Sequence, residues 1–411
     1  MIVLGRIKWV LKSLAKLLLF GLLGIGLLLC LLWFDHGRHT TLPMPTGSFA
    51  VGRMMYRWSD ATQPDAMAPL QGATRDLVVW IWYPAVKQAA AAPTEDYLPV
   101  AWLAALVRYR GLLMSNLLDR DYARIHTHSL RHAEMSPRQP TYPVVIMRPG
   151  LAALTTEYTT LAEDLASHGY VVVGFDAPYR TQVVVFADGT VVDRAPQNDP
   201  ELFGAEQGER IAGRLVTAWV AEMGFVLDRL TRLNAADPAS RFAGRLDLAR
   251  VGVFGHSLGG ATAAQFCHDD ARCKAGIDID GAPYGSVVHD GLDQPFMFLM
   301  SDHGDASDAD SRRIETNIQS IYDKLPSTNR LHVMIRGANH YDFSDGAIVK
   351  SQIVLGMLRI LGVVGIDGRR QLEITAYCVR RFFDVHLKHA DATVGIPSSH
   401  YPELQLLPAQ P

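Results

Sequence analysis

The stretch VGVFGHSLGGATAA, residues 251–264, sets Gly255-His256-Ser257-Leu258-Gly259 between an apolar run and a run of small residues. A strand that ends in a strained turn and restarts as a helix lifts a serine hydroxyl into solvent. Glycines two before and two after that serine keep a Cβ out of the tight strand-to-helix approach. This spacing makes Ser257 a candidate nucleophile. It also aims the backbone N–H of Leu258, which opens the expected helix, at the point where an oxyanion would form.

An acyl-transfer serine needs a base to take its proton and an acid to orient and stabilise the resulting imidazolium. Among fifteen histidines, His340 in GANHYDFSD is the candidate base, because it follows the expected strand at 331–335. His256 adjoins the serine but points elsewhere on the elbow and reads as structural. Two strand-end carboxylates compete for the acid: Asp280 lies 23 residues after Ser257, behind an expected strand at 275–279, and Asp302 lies 45 after it, behind another at 296–300. Asp278 alternates with Asp280 on a strand, so its side chain faces the other way. A second oxyanion donor is expected from the loop after the strand at 144–147, at the N–H of Leu151.

Metal and cofactor chemistry are not called for. Asp302, Asp305, Asp308 and Asp310 lack the ligand spacing and the glycine of a calcium loop and read as a solvated acidic turn. His126, His128 and His132 have no partnered carboxylates or cysteines and read as surface histidines.

The elements that must position these side chains follow from periodicity. Apolar runs at 76–83, 144–147, 170–175, 251–254, 275–279, 296–300 and 331–335 read as buried strands. Helical spacing is seen at 102–118, 158–167, 207–234, 348–361 and 373–387, with Gly169 closing the second of these. Asp188-Gly189 within VVVFADGTVV signals a hairpin. The strand-helix alternation is that of an α/β fold with a mostly parallel, doubly wound sheet.

The first 34 residues differ from the rest. Arg6, Lys8, Lys12 and Lys16 precede eighteen uncharged residues, 17–34, a run of roughly 27 Å as a helix, about one bilayer core. No small-residue cleavage pattern follows, so the segment reads as an uncleaved anchor. The basic flank puts the N-terminus in the cytoplasm and residues 35–411 on the periplasmic or extracellular side. The expected organisation is therefore anchor 1–34, linker and entry segment 35–75, catalytic domain 76–390 and tail 391–411.

With four basic residues in the anchor and no acidic one, the remainder holds 35 Lys plus Arg against 42 Asp plus Glu. No basic patch invites nucleic acid. Cys267 and Cys273, six apart, admit either a local disulfide in an exported domain or two separate buried thiols.

A mostly parallel sheet with this elbow resembles the α/β-hydrolase fold. Within that fold, VVWIWYPA (78–85), PVVIMRPGLAALTTEYTTLAEDLASHGYVVVGFDAP (143–178), FVLDRLTRLN (225–234), FGHSLGGATAA (254–264), KAGIDIDG (274–281) and MIRGANHYDFSD (334–345) resemble the platelet-activating-factor acetylhydrolase family, the lipoprotein-associated phospholipase A2 type. One departure is Arg148-Pro149-Gly150-Leu151, where that family commonly has His-Gly. The resemblance implies a serine esterase acting on phospholipid or other lipid esters with short or oxidised acyl chains. It selects Asp280 over Asp302 as the acid and agrees with His340 as the base. A general carboxylesterase or polyester hydrolase of the dienelactone-hydrolase or cutinase type is the alternative, for which Asp302 would be the acid. A non-catalytic, membrane-tethered hydrolase-fold binding protein is a further one. Residues 87–140, unassigned by any motif, are expected to shape the pocket.

Overall fold

The computed structural model describes residues 2–407 apart from 71, 89–91, 240, 303–307, 363 and 392–400. In chain order its strands are β1 (Thr40–Thr41), β2 (Ala50–Pro64), β3 (Thr74–Ala85), β4 (Thr94–Asp96), β5 (Ile125–Leu130), β6 (Tyr142–Arg148), β7 (Val171–Asp176), β8 (Val183–Val185), β9 (Val191–Asp193), β10 (Leu246–His256), β11 (Cys273–Ile279), β12 (Phe296–Met300), β13 (Arg330–Ile335) and β14 (Leu404–Leu406). All but the β8–β9 hairpin join one sheet, ordered β1-β5-β2-β3-β7-β6-β10-β11-β12-β13-β14, with β4 beside β5. From β7 to β13 every pairing is parallel.

Strands apolar at every position must be covered on both faces. In β3, Val78, Trp80 and Trp82 enter one core, and Leu77, Val79, Ile81 and Tyr83 enter the other. Helices Val100–Arg110, Thr159–Ser167 and Gly368–Lys388 close the first core. Ala205–Ala235, Leu258–Asp269 and Ala309–Lys324 close the second. A parallel sheet wound this way collects its strand ends at one carboxyl edge, and ligands bind there.

Several expectations change. The segment 35–75 is more than a linker, since β2 runs antiparallel to β3 from Ala50↔Ala85 to Asp60↔Arg75. Its mix of charged and apolar residues reflects a strand with one exposed side, where Trp58 is buried and Arg57 is not. The tail also contributes, with β14 pairing antiparallel to β13. The helix expected at 102–118 is cut at Gly111, whose φ is +81°, and resumes as a short π-helical turn at Met114–Leu118. The one expected at 348–361 breaks into Gly346–Val349 and Gln352–Ile360. Asp305, from the expected acidic turn, lies outside the described residues.

The N-terminal helix, Ile2–His36, is apolar enough from Leu11 to His36 to cross a membrane, at mean hydropathy 2.7 with 6% of its most apolar window buried. Its last turn is built into the globular part. Asp35 accepts from Arg120 Nη2 (3.1 Å), Ser351 Oγ (2.8 Å) and Gln352 N (2.8 Å), and His36 Nδ1 meets the Asp119 carbonyl at 3.0 Å.

Candidate active site

Four strand ends bring the candidate residues to the carboxyl edge of the sheet. β10 delivers Ser257 at φ 56°, ψ −127°, a region that costs a non-glycine residue about 1–3 kcal/mol unless its surroundings hold it there. They do so by close approach. A Cβ on Gly255 would strike the Gly259 carbonyl, and one on Gly259 would strike the Arg148 carbonyl at the end of β6. Ser257 N also donates to Ile279 O at 2.8 Å, tying the elbow to β11. Leu258 opens the following helix, so its N–H is among those without an intrahelical acceptor.

β11 delivers Asp280, whose side chain has no exposed surface. Its Oδ1 accepts from Ser301 N at 2.8 Å and its Oδ2 from Ser301 Oγ at 2.7 Å. The same Oδ2 lies 2.7 Å from His340 Nδ1, in the loop after β13. Asp302 is engaged elsewhere, accepting from Gly337 N at 2.8 Å. Asp278 turns beneath the elbow and accepts from Gly281 N at 2.8 Å, and burial pushes its carboxyl well above the usual range. Asp280 itself lies just beyond β11 at φ 53°, so its direction is set by that turn and not by alternation along the strand.

His256 is buried and neutral: burial, with His340 nearby, holds its imidazole down at about 3. Sequence reasoning missed its partner, Tyr158, which no motif marks. Tyr158 Oη sits 2.7 Å from His256 Nδ1 and takes the Gly150 N–H at 3.2 Å. Leu151 follows directly, after β6. Ser257, His340 and Leu151 line a cavity of about 480 Å³, whose far wall includes Tyr109, Arg110 and Met114 from the unassigned 87–140 region. Arg110 is neutralised there by Asp119 (3.0 Å) and Glu157 (2.6 Å). His126 stacks on His39 with facing nitrogens 3.0 Å apart, and His128 Nε2 meets the Leu42 carbonyl. Among the described residues no group of three or more metal-ligating side chains gathers.

Cys267 and Cys273 form a disulfide, with Cα atoms 5.1 Å apart, that joins the end of the elbow helix to β11. This settles the choice that spacing left open.

A mostly parallel, doubly wound sheet that presents a serine on a strained strand-to-helix elbow, with an Asp–His pair from the ends of β11 and β13, defines the class: an α/β-hydrolase. The chain belongs to the family described as platelet-activating factor acetylhydrolase, isoform II, whose model matches residues 35–186 and 223–395. It is 24% identical over 359 residues to the platelet-activating factor acetylhydrolase of Cavia porcellus, covering 79% of this chain and 74% of that one. It is 25% identical over 400 residues to a probable 1-alkyl-2-acetylglycerophosphocholine esterase of Arthroderma benhamiae, covering 89% and 93%. Among solved structures, a ferulic acid esterase from Streptomyces cinnamoneus superposes with a TM-score of 0.72 at 25% identity, over 90% of this chain and all of that one. The chain is a serine ester hydrolase.

Proposed function

We propose that the chain hydrolyses short-chain acyl esters of lipids, with Ser257 as nucleophile, His340 as base and Asp280 as the acid. The observation that carries this reading is the 2.7 Å contact between Asp280 and His340 at the rim of the cavity that Ser257 lines. In it, His340 takes the Ser257 proton as Oγ attacks the ester carbonyl, and Asp280 fixes the ring with Nδ1–H donating and Nε2 facing the serine. The tetrahedral oxyanion is held by the N–H groups of Leu258 and Leu151, each such donor worth about 2.7–4 kcal/mol. Collapse releases the lipid alcohol with the proton from His340. Water, activated by the same imidazole, then frees the acid.

The lipid character of the substrate is supported by the family and by the N-terminal helix. We read that helix as a membrane anchor with residues 1–16 on the cytoplasmic side, which would keep the enzyme beside its substrate. A broader carboxylesterase is the second reading, favoured by the likeness to the ferulic acid esterase. Initial rates of the detergent-solubilised chain on an acetylated phospholipid, a long-chain phospholipid and methyl ferulate separate the two. The lipid reading expects turnover of the first to exceed the others at least tenfold and to vanish in Ser257→Ala. Comparable rates on all three would give the broader one.

A further inference from the structure

The candidate site rests on a hydrogen-bond chain whose proton order is fixed by chemistry. Its last link is His256 Nε2 against the His340 carbonyl oxygen at 2.8 Å. A carbonyl only accepts, so Nε2 carries the hydrogen. The ring is buried and neutral, which leaves Nδ1 with a lone pair. The group facing that lone pair at 2.7 Å is the Tyr158 hydroxyl, which must then be the donor. With its hydrogen spent, the phenolic oxygen accepts the N–H of Gly150 at 3.2 Å. The order is therefore Gly150 N–H to Tyr158 Oη, Tyr158 O–H to His256 Nδ1, and His256 Nε2–H to His340 C=O. Reversing one link leaves two lone pairs, or two hydrogens, facing each other in a buried site.

We propose that Tyr158 and His256 are positioning residues, whose chain holds the loop after β6 and the loop bearing His340 at a fixed spacing around Ser257. The proposal rests on the catalytic reading given above. At one end, Gly150 immediately precedes Leu151, the second oxyanion donor, so the bond from Tyr158 aims the next N–H. A Cβ on Gly150 would sit 3.3 Å from both His256 Nδ1 and Ser257 Cβ, so the loop lies directly against the elbow. At the other end, the held carbonyl belongs to the same residue as the base. Tyr158 is itself fixed by its turn, Thr155–Tyr158: Thr155 N and Oγ1 donate to buried Asp176 at 2.9 and 3.1 Å, and Glu157 O accepts from Asp345 N at 2.7 Å.

The chain also disarms a competitor. The His256 ring lies 4.6 Å from that of His340, near enough to be a second base or a second cation. With Nδ1 engaged and Nε2–H pointed at a carbonyl, it is neither. That matters when His340 becomes an imidazolium in the transition state, because a like charge at that distance would oppose it. The titratable groups that act on the ring are His340 from the loop after β13, Asp280 from the end of β11 and Tyr158 from its turn.

The test is steady-state kinetics of the full chain in detergent on nitrophenyl acetate from pH 5 to 9, with thermal unfolding of every variant. Tyr158→Phe is expected to lower kcat by about tenfold to a hundredfold with KM within twofold. His256→Gln, which retains an N–H for the His340 carbonyl, is expected to keep at least tenfold more kcat than His256→Leu, although Leu suits a buried site better. Wild-type kcat in Tyr158→Phe, or kcat in the Leu variant equal to or above that in the Gln variant, would overturn the proposal. Wild-type turnover that survives Ser257→Ala would instead remove the catalytic reading on which it stands. If Tyr158→Phe does not fold, the Gln and Leu pair decides alone.

Discussion

Ser257 and His340 reach one cavity from the ends of β10 and β13, with Asp280 buried behind His340 at the end of β11, and the two carboxylates that competed in the sequence differ in what they touch. Asp280 is spent on Ser301 and His340, whereas Asp302 takes the Gly337 N–H. Asp280→Asn is therefore expected to lower kcat on nitrophenyl acetate by about four orders of magnitude, as loss of the orienting acid does in serine hydrolases. Asp302→Asn should stay within about threefold of wild type, and the reverse pattern would transfer the acid to Asp302. A second expectation at this scale concerns pH. Burial holds His256 at about 3 and His332, between Phe298 and Tyr322, at about 4, both below the ordinary 6.5. The unfolded chain binds these protons more readily, so stability falls as pH drops from about 6.5 towards 4. Urea unfolding at pH 7 and pH 5 checks this, with His332→Phe expected to flatten the difference. Ser257, His340 and both candidate acids were legible as candidates because a nucleophile elbow and strand-end loops leave local patterns. Tyr158 was not, because its role depends on partners 8 and 98 residues away and on a proton order that only geometry fixes.

At the scale of elements, the turn between β10 and its helix is the least tolerant part of the fold. Gly255→Ala places a methyl group against the Gly259 backbone, where nothing can yield without opening the elbow, and should abolish both Ser257 reactivity and much of the stability. Gly213 and Gly224, in the helix Ala205–Ala235, have nothing within 4 Å of the point where a methyl group would stand, so alanine at either should raise stability by about 0.5–1 kcal/mol. Thermal unfolding with a serine-directed phosphonate label reads both predictions, and an active Gly255→Ala would argue against the elbow. The disulfide at the far end of the elbow helix closes a loop of only six residues' separation, so its removal as Cys267→Ala/Cys273→Ala should cost roughly 2 kcal/mol with kcat unchanged. Buried parallel strands announced themselves as continuous apolar runs, which is why β6, β7, β10, β11, β12 and β13 were legible within a few residues. β2 was obscured because one side of it faces solvent, and β14 because three residues at a sheet edge carry almost no pattern.

At the scale of the whole molecule, the apolar helix is bonded into the globular part. Hydropathy alone exposed the helix but not its attachment, since Asp35 is joined to residues 85 and 317 positions away. The joint also reaches the cavity. Arg120 N donates to Val349 O at 2.7 Å and Ser351 N to Leu118 O at 2.8 Å, so the segments that receive Asp35 are bonded to each other next to Val349, Lys350 and Asp119 in the cavity lining. Removing the Asp35 carboxylate leaves Arg120, whose side chain is 9% exposed, without its counter-ion, and strips an acceptor from the N-terminus of Gln352–Ile360. Breaking a buried pair from one side costs about 3–5 kcal/mol. Asp35→Ala should therefore lower the unfolding temperature of the detergent-solubilised chain by several degrees or more, and Asp35→Asn, which keeps one acceptor oxygen, by less. An unfolding temperature unchanged in Asp35→Ala would mean that the helix hangs from the globular part without being part of its structure.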